Sequence, residues 1–226
     1  MSVEHLTPSA QNYVKIIWGV QEWADDPVTP GLIASRAGVA MSSVSDAVRK
    51  LAEQGLVSHT PYGAVSLTED GQHAAVAMVR RHRLLETFLV QVLGYTWDEV
   101  HDEAEVLEHA VTDRLVDRID AFLDFPTRDP HGDPIPSKEG HLPAPDAAQL
   151  STVEPHGQVV VERISDDDPA LLQFFTDTGI GVGTRLTLSP GAPFSETMCV
   201  TADGGEPIQL GRSATDAVWV SIPQRS

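Results

Sequence analysis

The order of hydrophobic periods from Ser9 to Leu67 is what most constrains the fold of this chain. Tyr13, Ile16, Ile17, Val20 and Trp23 recur at helical spacing between Ser9, a candidate N-cap, and Ala24. A short helical stretch from about Pro30 to Ala37 breaks at Gly38. A third helix starts at Ser42 or Ser43, runs through Val44, Val48 and Leu51 to Gln54, and stops at Gly55. Leu56–His59 and Ala64–Leu67 then alternate as two short strands around Tyr62-Gly63, a compact hairpin. Helix, short helix, glycine turn, helix and hairpin is the pattern of a winged helix-turn-helix, and RKLAEQGLV followed by a hairpin is its most specific part.

In such a fold the third helix enters the DNA major groove while the hairpin lies along the backbone. Ser42, Ser43, Ser45 and Asp46 fall at the exposed start of that helix, with Arg49 and Lys50 one turn further on. Hydroxyls at a helix N-terminus suit phosphate and base-edge contacts, and the basic pair suits phosphates or guanine. The same fold also serves as a protein-protein module, in which Ser42 is only a cap and Arg49 only a solvated side chain. Charge excludes a generic nucleic-acid coat: the formal net charge is -18, and residues 1–80 hold five basic side chains against eight acidic ones. A DNA affinity that a cation switches on is compatible with that repulsive background.

Thr68 caps a long helix expected from about Glu69 to Leu93, ended by Gly94, and a further helical region spans about Trp97 to Leu123. His82 and Glu86 stand four apart in the first, and His101, Glu105, Glu108 and His109 recur at spacings of three and four in the second. Residues so spaced share one helix face, so HDEAEVLEH directs two imidazoles and two carboxylates the same way, and a packed neighbour brings in His82 and Glu86. Facing helices that pair carboxylates with imidazoles are how helical proteins build divalent-metal sites. The competing reading is a solvated amphipathic face whose acids balance RRHR, and Asp102 and Glu103, which point elsewhere, fit it. Oxygen and imidazole donors suit Mn²⁺, while Fe²⁺, Co²⁺ and Zn²⁺ bind such donors at least as tightly in vitro.

From Phe125 to about Pro155 the periodicity dissolves; FPTRDPHGDPIPSKEGHLPAPDAAQL carries six of the chain's 16 prolines and reads as a linker that partly drapes over the body. Beyond it GQVVVERI, TRLTLS, TMCVTA and AVWVSI are β-branched segments between Gly-rich turns, with one short helix near Ala170 to Thr176, the makings of a small β-barrel-like module.

MVRRHRLLETFL followed by VHDEAEVLEH, then DPHGDPIP, resembles the diphtheria toxin repressor family of iron- and manganese-dependent regulators, and the resemblance runs from about residue 8 to the end. It implies a mainly α fold with β: a winged helix-turn-helix over residues 1–70, a helical dimerisation and metal-binding domain over 71–125, a linker over 126–150 and an SH3-like β-barrel over 151–226. It implies a primary, activating site at Glu105, Glu108 and His109, completed by Asn12, and an ancillary site at His82, Glu86 and His101, with Asp168 as a fourth candidate. Iron-sensing members carry a cysteine where Glu105 stands and manganese-sensing members a glutamate, so the resemblance is to the manganese branch. That branch usually has aspartate at Asn12; the amide oxygen still ligates but brings no charge. Lys15, where short manganese regulators have a second carboxylate, argues against their closely spaced two-metal arrangement.

With 226 residues the chain has room for two or three modules, and no apolar run approaches the about 18 residues of a membrane span. MSVEHLTPSAQNYVK lacks the basic start and apolar stretch of a secretory signal, which places the chain in the cytoplasm, and the lone Cys199 removes thiolate clusters from the metal donors. The reading is a Mn²⁺- or Fe²⁺-dependent repressor of metal-uptake genes. It binds double-stranded operator DNA as a homodimer through the apolar faces of Leu84 to Leu93 and Trp97 to Leu115, with no membrane, organic substrate or enzymatic role. Two alternatives stay open: a winged-helix regulator answering to an organic ligand, whose DNA binding a chelator leaves unchanged, and a metalloenzyme, which a Mn²⁺ turnover screen detects.

Overall fold

The computed structural model describes residues 3–23, 27–59, 63–143 and 147–222; Ala24 and Tyr62, expected at the end of the first helix and in the hairpin turn, lie outside the described residues. The chain divides into two compact units, one of Met1–Leu85, Ala104–Pro126 and Ile135–Leu142, the other of Glu86–Glu103, Thr127–Pro134 and Pro143–Ser226.

The first unit opens with α1 (Pro8–Glu22). Its cap is Thr7, whose hydroxyl accepts from the Ala10 N–H, and Pro8 fills a first-turn position where no N–H is needed. The helix therefore starts ahead of Ser9. α2 (Pro30–Ala37) is capped by Thr29 and ends at Gly38. α3 (Met41–Glu53) begins behind Ala40, which offers no side-chain cap but whose carbonyl accepts from Ser43 N–H at 3.0 Å and Val44 N–H at 3.3 Å. Val44, Val48 and Leu51 lie one and two turns apart on its buried face and share a core with Tyr13, Val14 and Ile17 of α1 and Ile33 of α2. Each such side chain contributes about 1.5–3 kcal/mol by leaving water, so α1 and α3 are held as one body. β1 (Val57–His59) and β2 (Val65–Leu67) pair antiparallel with Ser58 opposite Ser66.

α4 (Glu69–Phe88) grows from Thr68, whose hydroxyl accepts from Gly71 N–H at 3.1 Å and donates to the Gly55 carbonyl at 2.6 Å. It does not continue as a regular helix to Leu93: residues Leu89–Leu93 form a wide π-type turn that closes at Gly94. The expected helical region from Trp97 to Leu123 is also two helices, α5 (Val100–Leu107) and α6 (Asp113–Phe122), because the Thr112 hydroxyl caps a new start at Leu115 N–H. Glu108 and His109 thus follow α5 rather than sit inside it. The Glu108 N–H still bonds to the Ala104 carbonyl at 2.9 Å, which carries the helical register through to Glu108.

In the second unit β3 (Ala148–Gln149), β4 (Gly157–Ile164), β5 (Arg185–Pro190), β6 (Met198–Ala202), β7 (Ile208–Leu210) and β8 (Val218–Ser221) form one sheet in the order β3-β8-β4-β5-β6-β7, with α7 (Pro169–Asp177) and α8 (Arg212–Asp216). All its pairings are antiparallel. Four of its strands are the β-branched segments of the sequence; β3 and β7 are too short to show a period. The hydrogen-bonded order runs from β3 at one end to β7 at the other, the small β module expected of this part of the chain. Alternate residues of β4 and β8, among them Val159, Val161, Val218 and Val220, are buried in its core. Residues 127–134 are more than a connector: Arg128 and Pro134 form an antiparallel bridge, and the Asp129 carboxylate accepts from His131 and Asp133 N–H, both at 2.9 Å. Among the described residues no helix is long and apolar enough to cross a membrane.

One close approach fixes α4 on the hairpin. A Cβ on Gly71 would lie 1.8 Å from the Leu56 carbonyl oxygen and 3.2 Å from Leu67 Cδ2. Gly71→Ala is expected to push α4 off this backbone at about 1–3 kcal/mol, as overpacking does, and to lower the thermal midpoint by several degrees. A variant that melts with the native chain would show that the approach is not tight.

Candidate metal centres

In the first unit α1 aims Gln11 and Lys15 toward the residues that close α5. Glu108 is fully buried, and a buried carboxylate must be matched by positive charge or by hydrogen bonds. His82 Nδ1 stands 2.7 Å from Glu108 Oε2, and Lys15 Nζ donates to both Glu108 oxygens at 2.7 and 2.9 Å. Lys15 also donates to the Glu105 carboxylate. Burial pushes the Glu108 carboxyl up, but the hydrogen bond from His82 and the charge of Lys15 outweigh it and hold the group below its ordinary value. His82, Glu105 and Glu108 together offer ligand atoms within 4.8 Å of one another.

His109 joins this group through its other face. Its Nε2 is 3.6 Å from Glu108 Oε1, and its Nδ1 is 2.7 Å from the Gln11 side-chain oxygen. The Gln11 amide nitrogen donates to the Val3 carbonyl at 2.8 Å and the Leu6 carbonyl at 3.3 Å, so its oxygen must be the atom that faces the ring. His109 therefore donates through Nδ1–H, and its Nε2 faces the carboxylate side. Gln11 is a positioning residue that sequence reading missed. Asn12 Oδ1, on the same helix, is buried and has no hydrogen-bond partner among the described residues. An orphaned amide oxygen three residues ahead of Lys15, hence on the same helix face, fits a donor set built for a cation.

The second unit holds a separate cluster around Glu86, which is 1% exposed. Its Oε1 faces His101 Nδ1 at 3.3 Å and its Oε2 faces His131 Nδ1 at 3.7 Å. His101 Nδ1 also meets Asp166 Oδ2 at 2.8 Å. Burial would lower the His101 ring, but the Asp166 and Glu86 carboxylates push it up to about 11. Burial is likewise the largest single influence on His131 and drives it down, but the Glu86, Asp129 and Asp166 carboxylates together push it up to about 10. The Asp166 carboxyl is raised by burial, yet its bond to His101 leaves it far below the usual range. His131 is fully buried, stacked on Trp97 with centroids 5.9 Å apart, and its Nε2–H donates to the Trp97 carbonyl at 2.6 Å. That bond fixes the ring and leaves Nδ1 for Glu86. Asp129 completes a group with Glu86 and His131 whose ligand atoms lie within 4.8 Å. Gly132, at φ +91°, is what lets this segment lie flat, since a Cβ there would sit 2.1 Å from the Glu162 carbonyl oxygen.

The structure thus gathers Glu105, Glu108 and His109, gives His82 to Glu108, and sets Glu86 and His101 against Asp166. Asp168, the fourth candidate from sequence, is exposed and caps α7 by accepting from Ala170 N–H at 3.0 Å and Leu171 N–H at 3.3 Å. Asp166, two residues earlier in the same acidic run, holds the place beside His101. Asp129 and His131 carried a signal, the proline- and glycine-bounded DPHGDPIP, but no period to assign them a role. All six DNA-contact candidates, Ser42, Ser43, Ser45, Asp46, Arg49 and Lys50, are exposed on α3. Arg49 is held by Glu53 at 2.9 Å and Asp46 at 3.7 Å along the helix.

Residues 5–65 match the family described as iron dependent repressor, N-terminal DNA binding domain; residues 68–137 match its metal binding and dimerisation domain; and residues 148–222 match the FeoA domain. The chain is 30% identical over 229 residues to the iron-dependent repressor IdeR of Mycobacterium leprae, covering 95% of this chain and 97% of that one. The chain belongs to the iron-dependent repressor family. It is a metal-dependent, DNA-binding transcriptional repressor and not an enzyme. Solved relatives include a manganese-dependent transcriptional repressor in complex with manganese, 54% identical with a TM-score of 0.89 over 93% of this chain and 98% of that one. They also include the manganese regulator SloR, 33% identical, TM-score 0.80, over 96% and 99% of the two chains. ScaR with bound Zn²⁺ is 31% identical, TM-score 0.81, over 94% and 98%.

The bond between Gln11 and His109 yields a test within this repressor. Gln11→Leu removes the oxygen that fixes the ring while leaving every candidate ligand in place, and loss of such an outer partner weakens metal affinity by about 10- to 100-fold. Calorimetric titration with Mn²⁺ is expected to show that loss; an unchanged affinity would mean that His109 needs no such support.

Proposed function

We propose that this repressor is activated by Mn²⁺, works in the cytoplasm as a homodimer, and shuts off metal-uptake genes by placing two copies of α3 on operator DNA. The observation that carries the choice of ion is the donor chemistry: both clusters consist of carboxylate and imidazole groups, and neither contains a thiolate, since Cys199 lies in β6. Hard oxygen donors suit Mn²⁺, with Fe²⁺ the nearest competitor. The name of the 54% identical relative supports the same ion.

Glu105, Glu108, His109 and the Asn12 oxygen would hold an activating ion, with His82 beside Glu108 as a further donor. Glu86, His101, Asp166, His131 and Asp129 would hold a second. When bound, a divalent ion supplies the positive charge that these carboxylates otherwise draw from His, Lys or protons. The chain's own contribution is mechanical. Asn12 belongs to α1, and α1 shares the buried core of Val44, Val48 and Leu51 with α3, so whatever fixes Asn12 against Glu105 and Glu108 fixes the helix that reads DNA. Coupling between such sites is typically about 1–3 kcal/mol, or about 5- to 150-fold in operator affinity.

Two-fold pairing spaces two α3 helices by about 34 Å or a multiple of it, as half-sites one DNA turn apart require. On α6 Leu115 and Phe122 are 45% and 68% exposed, apolar side chains that pairing would cover.

The deciding experiment is fluorescence anisotropy on operator duplex with Mn²⁺, Fe²⁺ (anaerobically) and chelator in turn. Tight binding is expected with metal and weak binding with chelator, and His109→Ala is expected to lose the metal response while keeping its fold. Glu105→Cys separates the ions: a thiol has to lose a proton from a pKa near 8.5 and then favours softer ions, so the variant is expected to need more Mn²⁺ for half-maximal binding, with a smaller shift for Fe²⁺ or Co²⁺. Equal shifts for all ions would take the choice of metal away from Glu105.

A further inference from the structure

Lys15 sits where no donor set for a divalent ion would by itself place an ammonium. Its Nζ donates to Glu108 Oε1 at 2.7 Å and Oε2 at 2.9 Å, touches the Glu105 carboxylate, and stands 3.4 Å from His82 Nδ1. The side chain is 14% exposed and Glu108 not at all, so this contact is made largely out of water. An ammonium has three N–H donors and no acceptor, and here they face the same carboxylates that the proposed activating site requires. Two like-charged cations cannot share one carboxylate pair at such distances without repulsion. The four-carbon stem lets the ammonium swing away without moving α1, which a guanidinium or a short side chain would not do as readily.

We propose that Lys15 is a built-in competitor for the divalent ion: its ammonium holds Glu105 and Glu108, loading requires it to withdraw, and it thereby sets the ion concentration at which this repressor responds. The inference rests on the reading that Glu105 and Glu108 belong to the activating site. With Lys15 the three charged groups sum to one negative charge; without it they sum to two, which attract a divalent ion more strongly and repel each other in its absence. Lys15 also ties α1 to Glu105 and Glu108 without any metal. The ion therefore exchanges one tie for another, and the difference between the two, rather than the mere presence of a tie, distinguishes the DNA-competent state.

Two measurements on the full chain test this. In calorimetric titration with Mn²⁺ alone, Lys15→Met is expected to bind about tenfold tighter or more. Its metal-free thermal midpoint is expected below that of the native protein, with a larger rise on adding Mn²⁺. Equal or weaker Mn²⁺ binding by Lys15→Met overturns the proposal and leaves the metal-dependent repressor standing. If Lys15→Met does not fold, the native protein answers alone. Its only lysines are Lys15, Lys50 and Lys138, and exposed Lys50 serves as an internal standard for acetylation by an N-hydroxysuccinimide ester, read by mass spectrometry. Lys15 is expected to react slowly without metal and to accelerate on Mn²⁺ saturation. A Lys15 rate that Mn²⁺ does not change overturns the proposal. Mn²⁺ binding unaltered by Glu108→Gln removes the site itself, and the proposal with it.

Discussion

The cost of burying negative charge governs both centres of this protein. Glu86 and Glu108 are each removed from water, and an ionised carboxylate in that setting costs several kcal/mol unless cations and donors surround it. The chain meets the requirement in two ways, with His82 and Lys15 at Glu108 and with His101 and His131 at Glu86. A divalent ion satisfies the same electrostatic demand. Under the proposed function, that equivalence would let a metal take the place of the internal cations in each cluster.

In the proposed function α1 is the link between metal response and regulation. One face of this helix packs Val14 and Ile17 into the core that carries α3, and the other presents Gln11 to His109 and Lys15 to Glu105 and Glu108. A helix committed on one face to the DNA-reading helix and on the other to a charged pocket has little freedom to answer one without the other. The net charge of -18 is compatible with that proposal, since an acidic background would weaken binding to phosphates while the exposed serines and basic pair of α3 would be the local contacts.

Outer contacts matter as much as ligands. Gln11 fixes the His109 tautomer because its own amide nitrogen is bound by two backbone carbonyls, and the Trp97 carbonyl fixes His131. Neither partner has a chemistry that marks it in a sequence: Gln11 is one of many polar residues in a helix, and a backbone carbonyl has no sequence signature at all.

What the amino-acid order determined by itself was everything carried by period and local chemistry. The winged helix-turn-helix was legible because Val44, Val48 and Leu51 repeat at helical spacing and Gly38 and Gly55 punctuate them, and the pocket residues Glu105, Glu108 and His109 were legible because spacings of three and four define a helix face. Only the tertiary structure decided what depends on long-range approach. It chose Asp166 over Asp168, since two neighbours in an acidic run differ only in which one meets His101 and which one caps α7. It turned His82 to Glu108, brought Asp129 and His131 out of a segment that reads as a linker, and laid Lys15 across two carboxylates about 90 residues away. Spacing along a chain fixes faces of helices, whereas the partner that a face meets is set by packing, which no local period records.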